Sequence, residues 1–143
     1  MNKTIAEFKG EYEFLSADYP CTIVADGITY TSATNYFCAL KATSDGMRKK
    51  IARLSPNKAR KKCAMLPPNE DYENHKEAYY NMANAAKFDQ NPELKEKLLA
   101  TGDGKLINTV TYRDEWAGIR GETGLNMLGK VLMDLREKYR KEN

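Results

Sequence analysis

The residue types most suited to chemistry in this 143-residue chain lie in its last third. Asp114-Glu115-Trp116 leads to Gly118, Gly121 and Gly124, and Asn126 stands at the start of an apolar-patterned segment. Glycines allow backbone N–H groups to approach an anion, and a helix N-terminus favours phosphate. Gly118, Gly124 and Asn126 are therefore candidates for a phosphate or ribose contact. Trp116 offers a flat face on which a base could stack, for about 1–3 kcal/mol, or else anchors the core. Asp114 could accept a ribose hydroxyl, exchange a proton or brace its loop. Outside this stretch, the amine of Lys41 could meet a phosphate or, if desolvated, attack a ring-opened sugar aldehyde as a Schiff base; the alternative is a lysine snorkelling over an apolar face.

Other chemistries are narrower. His75 is the one histidine, so a Ser-His-Asp or Cys-His relay could be built only around it. It sits in the polar helical stretch Asp71–Glu77, which predicts a surface role. Cys21, Cys38 and Cys63 are odd in number and lack metal-type spacing, so they read as small buried thiols and no metal site is expected. No cofactor is called for. Residues 1–7 lack an apolar signal core and no run of about 18 apolar residues exists, which predicts a cytoplasmic protein without a membrane partner.

Apolar residues at 41% and charged residues at 30% describe an ordinary globule, and the length suits one domain with a core over about 11–139. The net charge of +3 is modest, but its distribution is uneven. Eight Lys or Arg and no carboxylate fall between Arg48 and Cys63, leaving 15 positive against 20 negative groups elsewhere. Such a block suits a phosphorylated partner, with nucleic acid reached through Arg48–Lys62, or is the solvated face of two helices.

These residues need elements to hold them. Tyr12–Leu15, Cys21–Val24 and Ile28–Thr31 are β-prone runs, the last two joined by an Asp26-Gly27 hairpin turn. Ala33, Tyr36, Phe37, Leu40 and Lys41 share a helical stripe, with Ser32 as cap. Ser44 opens a second helix, and Ser55-Pro56 a third in the favoured cap-and-proline order. Leu66–Asn69 is a loop. One longer helix is predicted over Tyr72–Phe88, with Tyr72, Ala78 or Tyr79, Met82, Ala86 and Phe88 inside. Asn91-Pro92 starts another helix, and Leu125–Tyr139 forms the last, burying Leu125, Leu128, Leu132, Leu135 and Tyr139. The tail from Arg140 to Asn143 is expected to fray. The class is α+β: short, mostly antiparallel strands wrapped by helices.

The chain also resembles a known family. Phe14-Leu15-Ser16, Pro20, Asp26-Gly27, Tyr30, Phe37, Ala39, Lys41, Lys87-Phe88, Asn91 and Leu94 stand in order along it. Leu98-Leu99-Ala100-Thr101, Leu106-Ile107, Asp114, Trp116, Gly124, Asn126, Leu128-Gly129, Leu132-Met133 and Arg136 continue the series. The pattern is similar to that of the NADAR (NAD- and ADP-ribose-associated) domain, also called YbiA-like, over Phe14–Arg136. The resemblance implies a pocket for a ribose-phosphate or ADP-ribose ligand and N-glycosidic chemistry, either on a ribosylamine of riboflavin synthesis or on ADP-ribosyl-guanine. Positions that match or replace the pattern make Ser16, Thr34, Asn35, Cys38, Lys41, Asn108, Asp114, Trp116, Gly124 and Asn126 candidate ligand contacts beside Gly118, with Lys41 and Asp114 the candidate catalytic groups.

The departures share a direction. The family's Glu-His falls on Thr34-Asn35, its later Glu on Asn108, its Gln on Cys38, and its Asn-Phe on Ala17-Asp18. Thr and Asn can hydrogen-bond a ribose but cannot act as a carboxylate. Losing one such group costs about 10²–10⁴ in rate, whereas binding can survive. The resulting expectation is a catalytically degenerate protein that binds and sequesters an ADP-ribose-derived nucleotide, such as an immune signalling nucleotide. Two alternatives stand beside it: an active N-glycosidase, and a module holding ADP-ribosylated nucleic acid.

Overall fold

Serine caps and a tight hairpin set the local structure of the chain. The computed structural model describes residues 3–110 and 114–142, which cluster into two compact units. One comprises the residues up to Ser16 together with those from Pro92 onward; the other is Ala17–Asn91. Helix predominates and the class is α+β, as expected. No helix among the described residues is long and apolar enough to cross a membrane.

In the Ala17–Asn91 unit, β1 (Ile23–Ala25) and β2 (Ile28–Tyr30) pair antiparallel, with Ile23 opposite Tyr30. Asp26 and Gly27 both take positive φ, 52° and 77°, the geometry of a two-residue primed turn that matches strand twist. Helices α1 (Ala33–Ala39), α2 (Asp45–Ala52) and α3 (Pro56–Met65) follow. Each is capped by the serine before it: Ser32 accepts from the Asn35 N–H, Ser44 from Met47 and Ser55 from Lys58.

The long helix expected over Tyr72–Phe88 is two helices, α4 (Glu70–Asn74) and α5 (Lys76–Asp89). His75 breaks them with φ −119° and ψ 21°, outside the helical range, its Nδ1 lying 2.9 Å from the Asp71 carbonyl oxygen. The buried face of α5 differs from the expected one. Tyr80, Ala83, Asn84, Lys87 and Phe88 are buried, whereas Ala78 and Met82 are exposed and Tyr79 and Ala86 only half-buried.

In the other unit, Tyr12–Leu15 is not a strand but part of a 3-10 helix, Gly10–Leu15. The neighbours Phe14 and Leu15 are both buried, which a strand's alternation forbids on a single buried face. Helices α6 (Pro92–Ala100) and α7 (Met127–Glu142) complete the unit, with a parallel bridge from Ile5 to Leu106 and another from Thr109 to Ile119. Helix α7 starts later than predicted, leaving Leu125 51% exposed, because Asn126 takes φ 51° and holds the chain out of the helix. Its inward face is Leu128, Val131, Leu132, Leu135 and Tyr139; burying each aliphatic side chain contributes about 1.5–3 kcal/mol. The expected fraying from Arg140 does not occur: α7 runs through Glu142, and Arg140 pairs with Asp103 and donates to the Gly102 carbonyl at 2.7 Å. Asn143 lies outside the described residues.

Candidate functional site

The first turn of α1 gathers several polar side chains of the Ala17–Asn91 unit. Thr34 donates its backbone N–H to the Ala17 carbonyl at 3.0 Å and its hydroxyl to Asp18 Oδ1 at 2.5 Å. These two bonds fasten the Ala17–Asp18 turn to the helix. Arg60, projecting from α3, forms an ion pair with the same Asp18 oxygen and donates to Asn57 Oδ1 at 2.9 Å. The Asp18 and Arg60 side chains remain 35% and 36% exposed, so both are reachable by a solute. A carboxylate thus sits against position 34, where the sequence itself supplies only a hydroxyl.

The next residue, Asn35, is 0% exposed, so it presents no surface to a ligand. Its Nδ2 donates to the carbonyls of Ile51 at 2.8 Å and Leu54 at 2.7 Å, and its Oδ1 accepts from the Ser32 hydroxyl at 2.5 Å. The ligand role expected of Asn35 becomes a bracing one, joining α1 to the end of α2. One turn further on, Cys38 is buried, at 5% exposure. Lys41 is half-buried, and its Nζ donates to the Cys63 carbonyl at 3.0 Å. Its ammonium therefore ties α3 to the end of α1. Lys41 also borders a cleft of about 520 Å³ with Met47, Leu66 and Pro67, mostly apolar.

Lys87 on α5 is 0% exposed, with its Nζ 5.6 Å from the Tyr19 ring centre and 4.9 Å from that of Phe88. Burial pulls its pKa down to about 7, while the neighbouring Cys21 and Asp18 act in the opposite direction. An amine poised near neutrality therefore lies in the electrostatic range of Asp18 without reaching solvent.

The remaining expected contacts lie in the other unit. Asn126, 8% exposed, accepts the Asn108 N–H at 2.9 Å and donates Nδ2 to the Leu106 carbonyl at 3.0 Å. Asn108 in turn donates its side-chain amide to the Ala117 carbonyl at 3.3 Å. Asp114 Oδ1 accepts the Ala117 N–H at 3.3 Å, and its carbonyl accepts from Gly118 at 2.9 Å, a self-contained turn. Trp116 is half-buried, and its carbonyl accepts the Met127 N–H at 3.0 Å. Ser16 is half-buried and donates its N–H to Glu13. Gly118 serves close packing: a Cβ there would lie 2.4 Å from the Asn108 carbonyl oxygen. Gly124 takes φ +136°, and its Cβ would meet the Gly118 carbonyl at 2.2 Å. Asn108, Asp114, Gly118, Gly124 and Asn126 are thus brought together as one braced loop, while Thr34, Cys38 and Lys41 share α1 and its end. Among the described residues, no three His, Cys, Asp or Glu side chains converge as a metal ion would need.

The profile of the NADAR domain matches residues 4–140. The chain belongs to the NADAR family. N-glycosidase YbiA of Shigella boydii is 33% identical over 119 residues, covering 81% of this chain and 74% of that protein. N-glycosidase R617 of Acanthamoeba polyphaga mimivirus is 31% identical over 126 residues, covering 76% and 74%. The NMR structure of the E. coli protein YbiA superposes with a TM-score of 0.86 at 34% identity, covering 99% of this chain and 88% of that one. Relatives bearing the name N-glycosidase favour the catalytic alternative over sequestration.

Three residues of this NADAR protein matter more than their sequence context suggested. Asp18 replaces an apolar family position, and that gain of charge was the available signal. Arg60 was one of eight cations in the basic block, with nothing local to mark it. Lys87 matched the family pattern, but nothing next to it in the sequence marked it for full burial.

Proposed function

We propose that this NADAR protein is an N-glycosidase that hydrolyses the bond between a ribosyl carbon and a nitrogen, with Asp18 as the carboxylate of the reaction. Water adds to the anomeric carbon, the carbon–nitrogen pair leaves with the nitrogen, and that nitrogen takes up a proton. The sugar becomes oxocarbenium-like on the way, and a fixed negative charge beside it lowers the barrier. The observation that carries this reading is the Asp18 carboxylate bonded to Thr34, at the helix turn where the family pattern has Glu. Similarity to two proteins named N-glycosidases supports it from outside the chain. Arg60 holds the carboxylate in place and remains accessible to an anionic substituent of the substrate.

The test is chemical. Full-length protein is incubated separately with a ribosylamine 5-phosphate and with ADP-ribosylated guanosine, and the small molecules are separated. Free base together with free sugar from at least one substrate is expected. Intact compound recovered only on heating the protein, with no base from either, would overturn the proposal in favour of sequestration.

A further inference from the structure

We propose that the end of α3 and the loop after it form a homodimer surface, on which Met65 of one copy enters the apolar cleft of a second copy about a two-fold axis. The N-glycosidic chemistry uses none of this surface, and the inference does not depend on it. Met65 closes α3 and is 79% exposed, more than Val24, Met82 or Leu125, the other large hydrophobic side chains left in solvent among the described residues. A lone exposed methionine is ordinary; one set beside an apolar hollow that it does not fill is not. The cleft of about 520 Å³ has Met47, Leu66, Pro67 and Pro68 as apolar walls, and Met65 stays outside it although Leu66 is the next residue. The cation in that lining, Lys41, is turned to the Cys63 carbonyl at 3.0 Å.

Charge selects the occupant. Lys61 and Lys62 precede Met65 by one turn of α3, so the three share a helix face. Glu70 and Asp71, both exposed, line the same cleft. Along the chain the patch therefore runs positive, apolar, negative. Overlaid on a copy in the same direction it would set like charges together. A two-fold axis reverses one copy, so Lys61 and Lys62 meet Glu70 and Asp71 at both ends while each Met65 meets the other copy's cleft. Knob and hole belong to one patch, and the contact closes at two copies.

The groups are prepared for such a contact. Among the described residues, Lys61, Lys62 and Glu70 enter no ion pair within the chain. Asp71 is oriented by the Tyr79 hydroxyl, which donates to it at 2.6 Å, and by His75 Nδ1 at 3.2 Å. Pro67 and Pro68 stiffen the cleft wall and bring no N–H that would need a partner when covered. The unbranched thioether of Met65 adapts to an irregular space. A polyanion on this patch would be repelled by Glu70 and Asp71, and an uncharged ligand would leave the charges of both signs unused.

The experiment is sedimentation equilibrium of the full-length protein over rising concentration. The mass is expected to climb from the 16.3 kDa of one chain to twice that value and stop, with a Kd of about 10–100 μM, as suits a small interface. Met65→Asp, at a position too exposed to carry the fold, is expected to weaken association about tenfold or more. Lys61→Glu is expected to weaken it as well, by setting like charges together, and adding Glu70→Lys to that variant to restore it. Circular dichroism checks that each variant is folded. A monomer at every concentration up to about 1 mM, whether or not its cleft takes up 8-anilinonaphthalene sulfonate, would overturn the proposal. So would growth beyond two copies, a dimer indifferent to Met65→Asp, or a double charge variant that associates no better than Lys61→Glu alone.

Discussion

Asp18→Asn is expected to lower the rate of base release by about 10²–10⁴-fold, the range for removing one well-placed charged or proton-transferring group. The asparagine oxygen can still accept from the Thr34 hydroxyl, so the turn stays fastened to α1 and the change removes charge rather than shape. Folding should be little affected. The ion pair with Arg60 is about one-third exposed on both sides, and pairs of that kind contribute only about 0–1 kcal/mol. A steady-state assay and a thermal melt on the same preparation check the prediction. A large fall in kcat with a nearly unchanged melting temperature is expected. Equal losses of both would reassign Asp18 to structure.

The second large effect concerns Lys87 and is read as stability against pH. Burial has lowered the pKa of this amine from 10.5 to about 7, so between those values the unfolded chain binds a proton that the folded chain does not. Stability therefore rises with pH across that window, and the contribution is lost as pH falls through about 7. In Lys87→Met the amine is gone and its volume is largely kept. Denaturant unfolding of both proteins from pH 6.5 to 10 is expected to show the wild type gaining roughly 3–5 kcal/mol relative to the variant. Groups common to both proteins, such as Cys38 and Tyr72, whose buried hydroxyl is pushed up, cancel in the difference. Parallel curves would mean that the amine stays charged when buried, held by Asp18 and the Tyr19 ring.

Local chemistry made much of the fold legible in the sequence. Ser32, Ser44 and Ser55 cap the helices they were expected to cap, and Asp26-Gly27 turns the hairpin, because each is decided within four residues. What escaped depended on distant partners or on a single backbone angle. His75 leaves the helical range inside an otherwise continuous helical pattern and splits the predicted helix in two. Asn126 is left-handed because its side chain is bonded to Asn108 and Leu106, far back along the chain. The site was harder still. Position 34 alone says that a carboxylate has gone; only contact with Asp18, 16 residues earlier, says that one has been returned. Arg60, 42 residues from Asp18, carries no mark in the sequence that separates it from its basic neighbours.

The relocation of the carboxylate can be put to one measurement, the rate of base release in a pair of variants. Asp18→Phe restores the family residue at 18 and removes the charge; adding Thr34→Glu returns a carboxylate on α1, beside Arg60. The single change is expected to abolish at least 99% of the rate, about two powers of ten, and the double change to recover most of it. Full activity in Asp18→Phe, or a double variant as inactive as the single one though equally well folded, would contradict the exchange of one carboxylate for the other.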